Sequence, residues 1–238
     1  MIHLKCNKKD VAKICLLPGD PGRTQLIAEK YLDKPKKIND FRGLLAYTGF
    51  YQKVPVSIVT TGMGCPSAGI VVEELVKLGA KILIRIGTCG GVSKNIKPGD
   101  LIIPTSAVGL VGIISAYKIE PWTPVPDINV VNALLDSVKE KKLRYWIGAI
   151  CTSDAFYREV EQAREWEDKK ILAFEMECAG IFALAALRGI KAGAILTATG
   201  NILYGRQVME TLFVKKSIEQ MIKVALSSAY SIANPSLL

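Results

Sequence analysis

Val11-Ala12-Lys13-Ile14-Cys15-Leu16-Leu17-Pro18-Gly19-Asp20-Pro21-Gly22-Arg23 is the stretch that decides the fold. The run from Val11 to Leu17 is apolar apart from Lys13 and reads as a buried strand, with Ile14–Leu17 at its centre. Two prolines and two glycines then break the strand. Pro21 suits the first turn of a helix, which the pattern carries on to Leu32. A buried strand that turns through glycines into a helix is the opening unit of an α/β sheet. Glycine lets the backbone approach a ligand closely, and free N–H groups after a strand favour negative charge. Arg23 adds a planar fork suited to phosphate. The turn therefore reads as a candidate anion site as well as a connection.

The same alternation runs through the rest of the chain. Further strands are expected at Leu44–Phe50, Val54–Thr61, Ile82–Ile86, Asp100–Val108, Trp146–Thr152 and Ala192–Thr199. Further helices are expected at Pro66–Leu78, Asn129–Lys141, Glu175–Arg188 and Gln207–Ala233. Gln52-Lys53 reads as the turn of a hairpin. There is no repeat, linker or low-complexity segment, so residues 1–238 read as one domain. The class expected is α/β: a three-layer α/β/α domain with a central mixed β-sheet flanked by helices. Residues 109–126 form a long connection rich in Gly, Ile and Pro. Such connections are often binding loops or subunit contacts.

Composition narrows the function. The chain has 238 residues, of which 50% are hydrophobic and 22% charged, which is enough for a sizeable core and unlike a disordered chain. No apolar run is long enough for a bilayer and the N-terminus has no signal-peptide pattern, so the expectation is a cytoplasmic protein with no membrane partner. The six cysteines are scattered without a CxxC pair and read as core thiols. His3 is the only histidine, which leaves little for a zinc site or a Ser-His-Asp or Cys-His hydrolase. The net charge of +9 invites a nucleic-acid reading. Yet the lysine clusters at 34–37 and 139–144 lie at helix ends or loops with no interleaved aromatics. A field that attracts phosphate and nucleotides accounts for the charge, and no nucleic-acid partner is expected.

Two later segments sharpen the picture. Arg85-Ile86-Gly87-Thr88-Cys89-Gly90-Gly91 follows a second apolar strand, and Phe174-Glu175-Met176-Glu177-Cys178-Ala179-Gly180 opens an apolar helix with two carboxylates. Together with Gly19-Asp20-Pro21 they resemble the nucleoside phosphorylase family, which includes uridine, purine nucleoside and methylthioadenosine phosphorylases. Thr61-Gly62-Met63-Gly64-Cys65-Pro66-Ser67, Val72-Glu73-Glu74-Leu75 and Ser153-Asp154-Ala155-Phe156-Tyr157 extend the resemblance over nearly the whole chain. It implies phosphate-dependent cleavage of an N-glycosidic bond, giving free base and ribose 1-phosphate. Inorganic phosphate is then a co-substrate, and no other cofactor or metal is expected.

The resemblance implies three sub-sites. Gly19, Arg23, Arg85 and Thr88 would hold phosphate, with Arg42 supplied by a neighbouring subunit. Arg85 also stands on its own sequence context: a cation between Ile84 and Ile86 on a buried strand needs a partner. Glu177 would accept hydrogen bonds from ribose hydroxyls and favour an oxocarbenium-like transition state, with Met176 against the sugar. His3 would reach the sugar 5′-hydroxyl across a dimer interface. The resemblance thus implies nucleoside and phosphate as partners and a homo-oligomer built from dimers, typically a hexamer. A helix N-terminus that simply favours acids accounts for one of Glu175 and Glu177 without any substrate.

The base sub-site would include Cys89, Gly90 and Phe156. Purine-specific relatives place an aspartate where this chain has Gly200. Uridine phosphorylases lack it and have asparagine next, as Asn201 is here. They read uracil with a Gln-x-Arg pair after a Phe-Tyr pair, and Gln162-Ala163-Arg164 follows Phe156-Tyr157 at a spacing two residues too long. A glutamine amide matches a uracil edge, and an arginine stabilises charge on the departing base. The leading expectation is therefore a uridine phosphorylase with Arg85, Glu177 and Arg164 in the reaction itself. The alternatives are a purine nucleoside or methylthioadenosine phosphorylase using Asn201 as donor, and a non-catalytic nucleoside-binding protein. A dinucleotide-dependent oxidoreductase is disfavoured, because Gly87 to Gly91 lacks the GxGxxG spacing.

Overall fold

The computed structural model describes residues 1–204, 206–207 and 211–235. The opening stretch forms the unit expected of it. Strand β1 (Ile14–Pro18) is buried throughout, and helix α1 (Pro21–Tyr31) follows after two residues. Asp20 caps α1 by accepting from the backbone N–H groups of Gly22 and Arg23, each at 3.0 Å.

Among the described residues, ten strands form one mixed sheet in the order β10-β9-β6-β7-β8-β5-β1-β4-β3-β2. They are β2 (Asp33–Asn39), β3 (Ala46–Tyr51), β4 (Val54–Val59), β5 (Ile82–Gly91), β6 (Leu101–Leu110), β7 (Tyr145–Ser153), β8 (Ala173–Glu175), β9 (Lys191–Asn201) and β10 (Arg206–Gln207). β5 also pairs with β9 in parallel from Ile82 to Gly91. The strands β5, β9, β6, β7 and β8 therefore close on themselves, while β1, β4, β3 and β2 extend outward as an open sheet. The turn between β3 and β4 is the hairpin expected at Gln52-Lys53. Both residues have positive φ, 48° and 69°, as a tight two-residue turn demands.

Helices cover both faces. One core packs α2 (Cys65–Leu78) and α6 (Cys178–Leu187) against the sheet. The other packs α1, α4 (Ile128–Glu140) and α7 (Leu212–Ala233) on the opposite face. The domain is thus the three-layer α/β/α architecture that the alternation implies. A smaller cluster of Val92, Cys151, Ala163, Ile171 and Phe174 packs α5 (Glu159–Asp168) over the ends of β5, β7 and β8.

Four local expectations change. β2 is a strand although Lys34-Pro35-Lys36-Lys37 reads as a solvated loop, because it pairs only with β3 at the sheet edge. The helix expected from Glu175 starts at Cys178, since Ala173–Glu175 is a short strand between β5 and β7. The helix expected from Gln207 starts at Leu212. Gln207 pairs with β9, and 208–210 lie outside the described residues. The connection at 109–126 contains the end of β6 and a short helix, α3 (Gly112–Ala116). No described helix is long and apolar enough to cross a membrane.

Candidate active site

β5 carries Arg85 into the interior, where the residue is only 4% exposed. A guanidinium so placed needs partners, and two carboxylates supply them. Arg85 Nε donates to Glu175 Oε2 at 2.9 Å, and Nη2 pairs with Glu177 Oε2. Burial works against the charge, but Glu177 and Glu175 overcome it and hold the Arg85 pKa above the ordinary guanidinium value. The third nitrogen, Nη1, is buried and has no hydrogen-bond partner among the described residues. It faces the glycine turn after β1: a Cβ built on Gly19 would lie 4.0 Å from Nη1 and 3.3 Å from the Gly62 carbonyl. Glycine at 19 keeps that approach open.

Glu175 is the hub beneath this arginine. Its carboxylate accepts from Arg85, from Thr152 Oγ1 at 2.5 Å, and from the backbone N–H groups of Glu177 and Cys178 at 2.9 Å. Thr152 Oγ1 in turn accepts the Ala179 N–H at 3.0 Å. The first N–H groups of α6, which lack partners within the helix, are thereby satisfied by acceptors at its positive end. Glu177 sits at the same helix head, and its Oε1 accepts the Gly64 N–H at 2.7 Å. Gly64 has φ of 83°, a conformation that favours glycine. Burial pushes the Glu177 carboxyl above its ordinary range, Arg85 pulls it back, and the Glu175 charge adds to the rise.

Arg23 comes from the first turn of α1, where its Nη1 donates to the Ile86 carbonyl at 3.4 Å. Burial lowers its pKa, Asp20 opposes the fall, and the positive charge of Arg85 adds to it. Two guanidiniums within electrostatic reach of each other are an arrangement that a bound anion relieves. Thr88 is half-buried two residues after Ile86 on the same strand. β1, α1 and β5 thus bring Gly19, Arg23 and Arg85 together, with Glu177 at the head of α6 and the half-buried Met176 before it; Thr88 lies three residues beyond Arg85 along β5.

Other expected residues lie elsewhere. Arg42 is exposed in the turn Phe41–Gly43, with φ of 56° and no hydrogen bond or ion pair among the described residues. His3 pairs through Nδ1 with Glu74 Oε1 at 3.0 Å, and the same carboxylate accepts the backbone N–H groups of Ile2, His3 and Leu4. Glu74 is nine residues along α2 from Cys65, roughly 13 Å at helical rise, so His3 is remote from the Glu177 of its own chain.

The base-side residues divide. Cys89 is buried on β5, Gly90 follows it, and Phe156 is half exposed and edge-on to Tyr157 at 5.3 Å. Asn201 is not available to a base. It is 2% exposed, its amide nitrogen donates to the carbonyls of Ser93 and Ile96, and its oxygen accepts from the N–H groups of Leu203 and Tyr204. Gln162 and Arg164 both lie within α5, where residues two apart point away from each other. Arg164 is exposed, on the outer side where its charge is felt by Tyr204. The Gln-x-Arg spacing therefore does not form one reading edge here. Sequence reasoning named Glu175 only as an acid at a helix N-terminus, not as the partner of Arg85, and passed over Thr152 and the Gly64 N–H. The signal for Glu175 was present in a carboxylate ending an apolar run, but the long-range antiparallel pairing of β8 with β5 was not.

A glycine turn, two guanidiniums within electrostatic reach and a carboxylate at the head of a buried helix thus meet in an α/β fold. Residues 13–232 match the phosphorylase superfamily, and the chain belongs to that family. It is 36% identical over 206 residues to the guanosine phosphorylase of Halorubrum lacusprofundi, covering 86% of this chain and 85% of that one. It is 37% identical over 232 residues to the DeoD-type purine nucleoside phosphorylase of Caldanaerobacter subterraneus, covering 96% and 99%. The corresponding protein of Bacillus cytotoxicus is 35% identical over 235 residues, covering 96% and 98%. All three are named for purine nucleosides, and a special likeness to uridine phosphorylase finds no support among them.

Proposed function

We propose that this protein cleaves the N-glycosidic bond of a purine nucleoside with inorganic phosphate, releasing the base and ribose 1-phosphate. The observation that carries the reading is Arg85: two of its nitrogens are held by Glu175 and Glu177, and the third is left as a free buried donor facing Gly19. A preorganised donor in a dry site is worth far more to an arriving oxyanion than one in water. Phosphate bound by Arg85 Nη1, Arg23, Thr88 and the backbone at Gly19 attacks C1′ of the sugar. Glu177 accepts from the ribose hydroxyls through lone pairs that Gly64 and Arg85 leave free, and its charge favours the cationic sugar of the transition state. Met176 packs against the sugar, and Cys89, Gly90 and Phe156 flank the base.

The purine preference rests on the relatives and on the outward position of Arg164 on α5, away from any uracil edge; Asn201, held by backbone groups, is the donor of neither base. Uridine stands as the second reading because Gly200 gives β9 no acid at the position that purine-specific enzymes use. His3 and Arg42 complete the site of a neighbouring subunit in an assembly built from dimers; the anchoring of His3 to Glu74, nine residues along α2 from Cys65, and an Arg42 without a partner among the described residues favour this. The test is phosphate-dependent base release from inosine, guanosine, adenosine and uridine, with Arg164→Ala in parallel. Faster turnover of purine nucleosides, unchanged by Arg164→Ala, is the expected result. Uridine cleavage that exceeds purine cleavage and is abolished by Arg164→Ala overturns the purine reading; base release without phosphate overturns phosphorolysis itself.

A further inference from the structure

Glu159 opens α5 and is 5% exposed, yet no hydrogen bond or ion pair holds its carboxyl among the described residues, and Oε1 is buried without a partner. Buried carboxyls are normally satisfied, so an orphan of this kind calls for an explanation. Ala163, one turn later on the same inward face, packs with Val92, Cys151 and Phe174, which places Glu159 over the ends of β5, β7 and β8. Phe156 is three residues before it. The charged and titratable groups facing it are Glu175 on β8, Cys89 on β5 and Cys151 on β7. Burial keeps both thiols neutral, and the guanidinium behind Glu175 is already bound by two carboxylates.

We propose that Glu159, in its protonated form, is the acid that serves the departing base, supplying from α5 the proton donor that Gly200 cannot supply from β9. The inference rests on the purine reading above. In the step, the N9–C1′ electron pair leaves with the purine, a phosphate oxygen bonds to C1′, and the Glu159 proton passes to N7. The carboxylate then recovers a proton from the one that the new phosphate monoester releases, so no further reagent is needed. The acid is poised for this: burial, with the Glu175 charge adding, pushes its pKa up to about 7, so the protonated form is well populated near neutrality. A buried carboxyl kept neutral beside an ionised one is how an active site separates acid and base roles.

The experiment compares wild type with Glu159→Gln, which keeps the shape and cannot give up a proton. The substrates are inosine and 7-methylguanosine, each with inorganic phosphate, and rates are followed from pH 5.5 to 9. N7 of 7-methylguanosine already carries a methyl group and a positive charge, so its departure needs no acid. The expected result is a loss of at least ~100-fold in kcat on inosine, with 7-methylguanosine within roughly threefold of wild type. Wild-type inosine turnover should fall as pH rises through about 7, and Glu159→Gln should lack that limb. Equal losses on both nucleosides, or an unchanged pH profile, overturn the role of Glu159 while leaving the purine reading intact. A wild type inactive on both nucleosides yet active on uridine overturns the purine reading, and this inference with it.

Discussion

Replacing Glu175 by glutamine tests whether this carboxylate holds the site together. The wild-type oxygens accept from Arg85 Nε, Thr152 Oγ1 and the N–H groups of Glu177 and Cys178. Glutamine keeps one acceptor oxygen and turns an N–H pair toward at least one of those donors. It also leaves Arg85, 4% exposed, with a single carboxylate. Breaking one side of a buried ion pair costs about 3–5 kcal/mol; Glu177 remains, so ~3 kcal/mol is expected. At ~2–4 °C per kcal/mol for a chain of this size, the melting temperature should fall by roughly 6–12 °C. Melting is followed by circular dichroism at fixed protein concentration, because association shifts apparent stability. A second arm adds Arg85→Met to Glu175→Gln. With the cation gone, the double variant should be more stable than the sum of the single losses implies, by about 1–3 kcal/mol. A Tm within ~2 °C of wild type, or strict additivity, would refute the reasoning, since either means that Glu175 does not hold Arg85 in the folded chain.

Other outcomes follow from the same geometry. Arg85→Ala should lower phosphorolysis by at least ~100-fold, and arsenate or phosphate titration should show weakened anion affinity; near-normal turnover in a folded variant would remove the phosphate assignment. Mixing two inactive variants, His3→Ala and Glu177→Gln, should restore activity, because a shared site draws each residue from a different subunit; continued inactivity of verified mixed assemblies speaks against the exchange. The Glu74 carboxyl is buried, but the N–H groups of Leu4, His3 and Ile2 and the His3 ring hold its pKa below the ordinary carboxylate range. A depressed pKa gives a contribution present above that range and lost as pH falls through the folded value. Hydrogen-exchange protection at His3 and Leu4 should therefore drop on acidification below the usual carboxylate pKa, and a flat profile would show that Glu74 does not anchor the N-terminus.

What could be read from sequence follows burial. β1, β4 and β5 are apolar runs with turn residues at their ends, and a lone arginine in β5 announces a buried charge before any partner is known. Edge strand β2 was illegible because its exposed Lys34, Lys36 and Lys37 carry no period, although such residues at an open edge discourage pairing with other chains. Gly19 and Arg23 share one local turn between β1 and α1, and Arg85 stands within the apolar run of β5, so each was legible without knowing the fold. Glu159 was missed, and Glu175 was read only as an acid at a helix head, because their meaning depends on which elements meet. β8 is three residues long, and α5 shows its inward face only once it lies on β7 and β8. Asn201 and Arg164 fit a motif in spacing alone; backbone carbonyls claim the first, and helical rotation turns the second outward.

Helix α6 is buried at every position from Cys178 to Ala185, so its head, where Glu175 and Glu177 meet Arg85, moves only if the core repacks. The elements proposed around the base are of another kind: Phe156 and the outer face of α5 are open to solvent. Descendants of such a chain can alter which base they accept by trading surface residues at little cost to folding. The phosphate and sugar chemistry proposed for the head of α6 is inherited with the interior itself. Diversification in this lineage should run along the outer face of α5 and spare the head of α6.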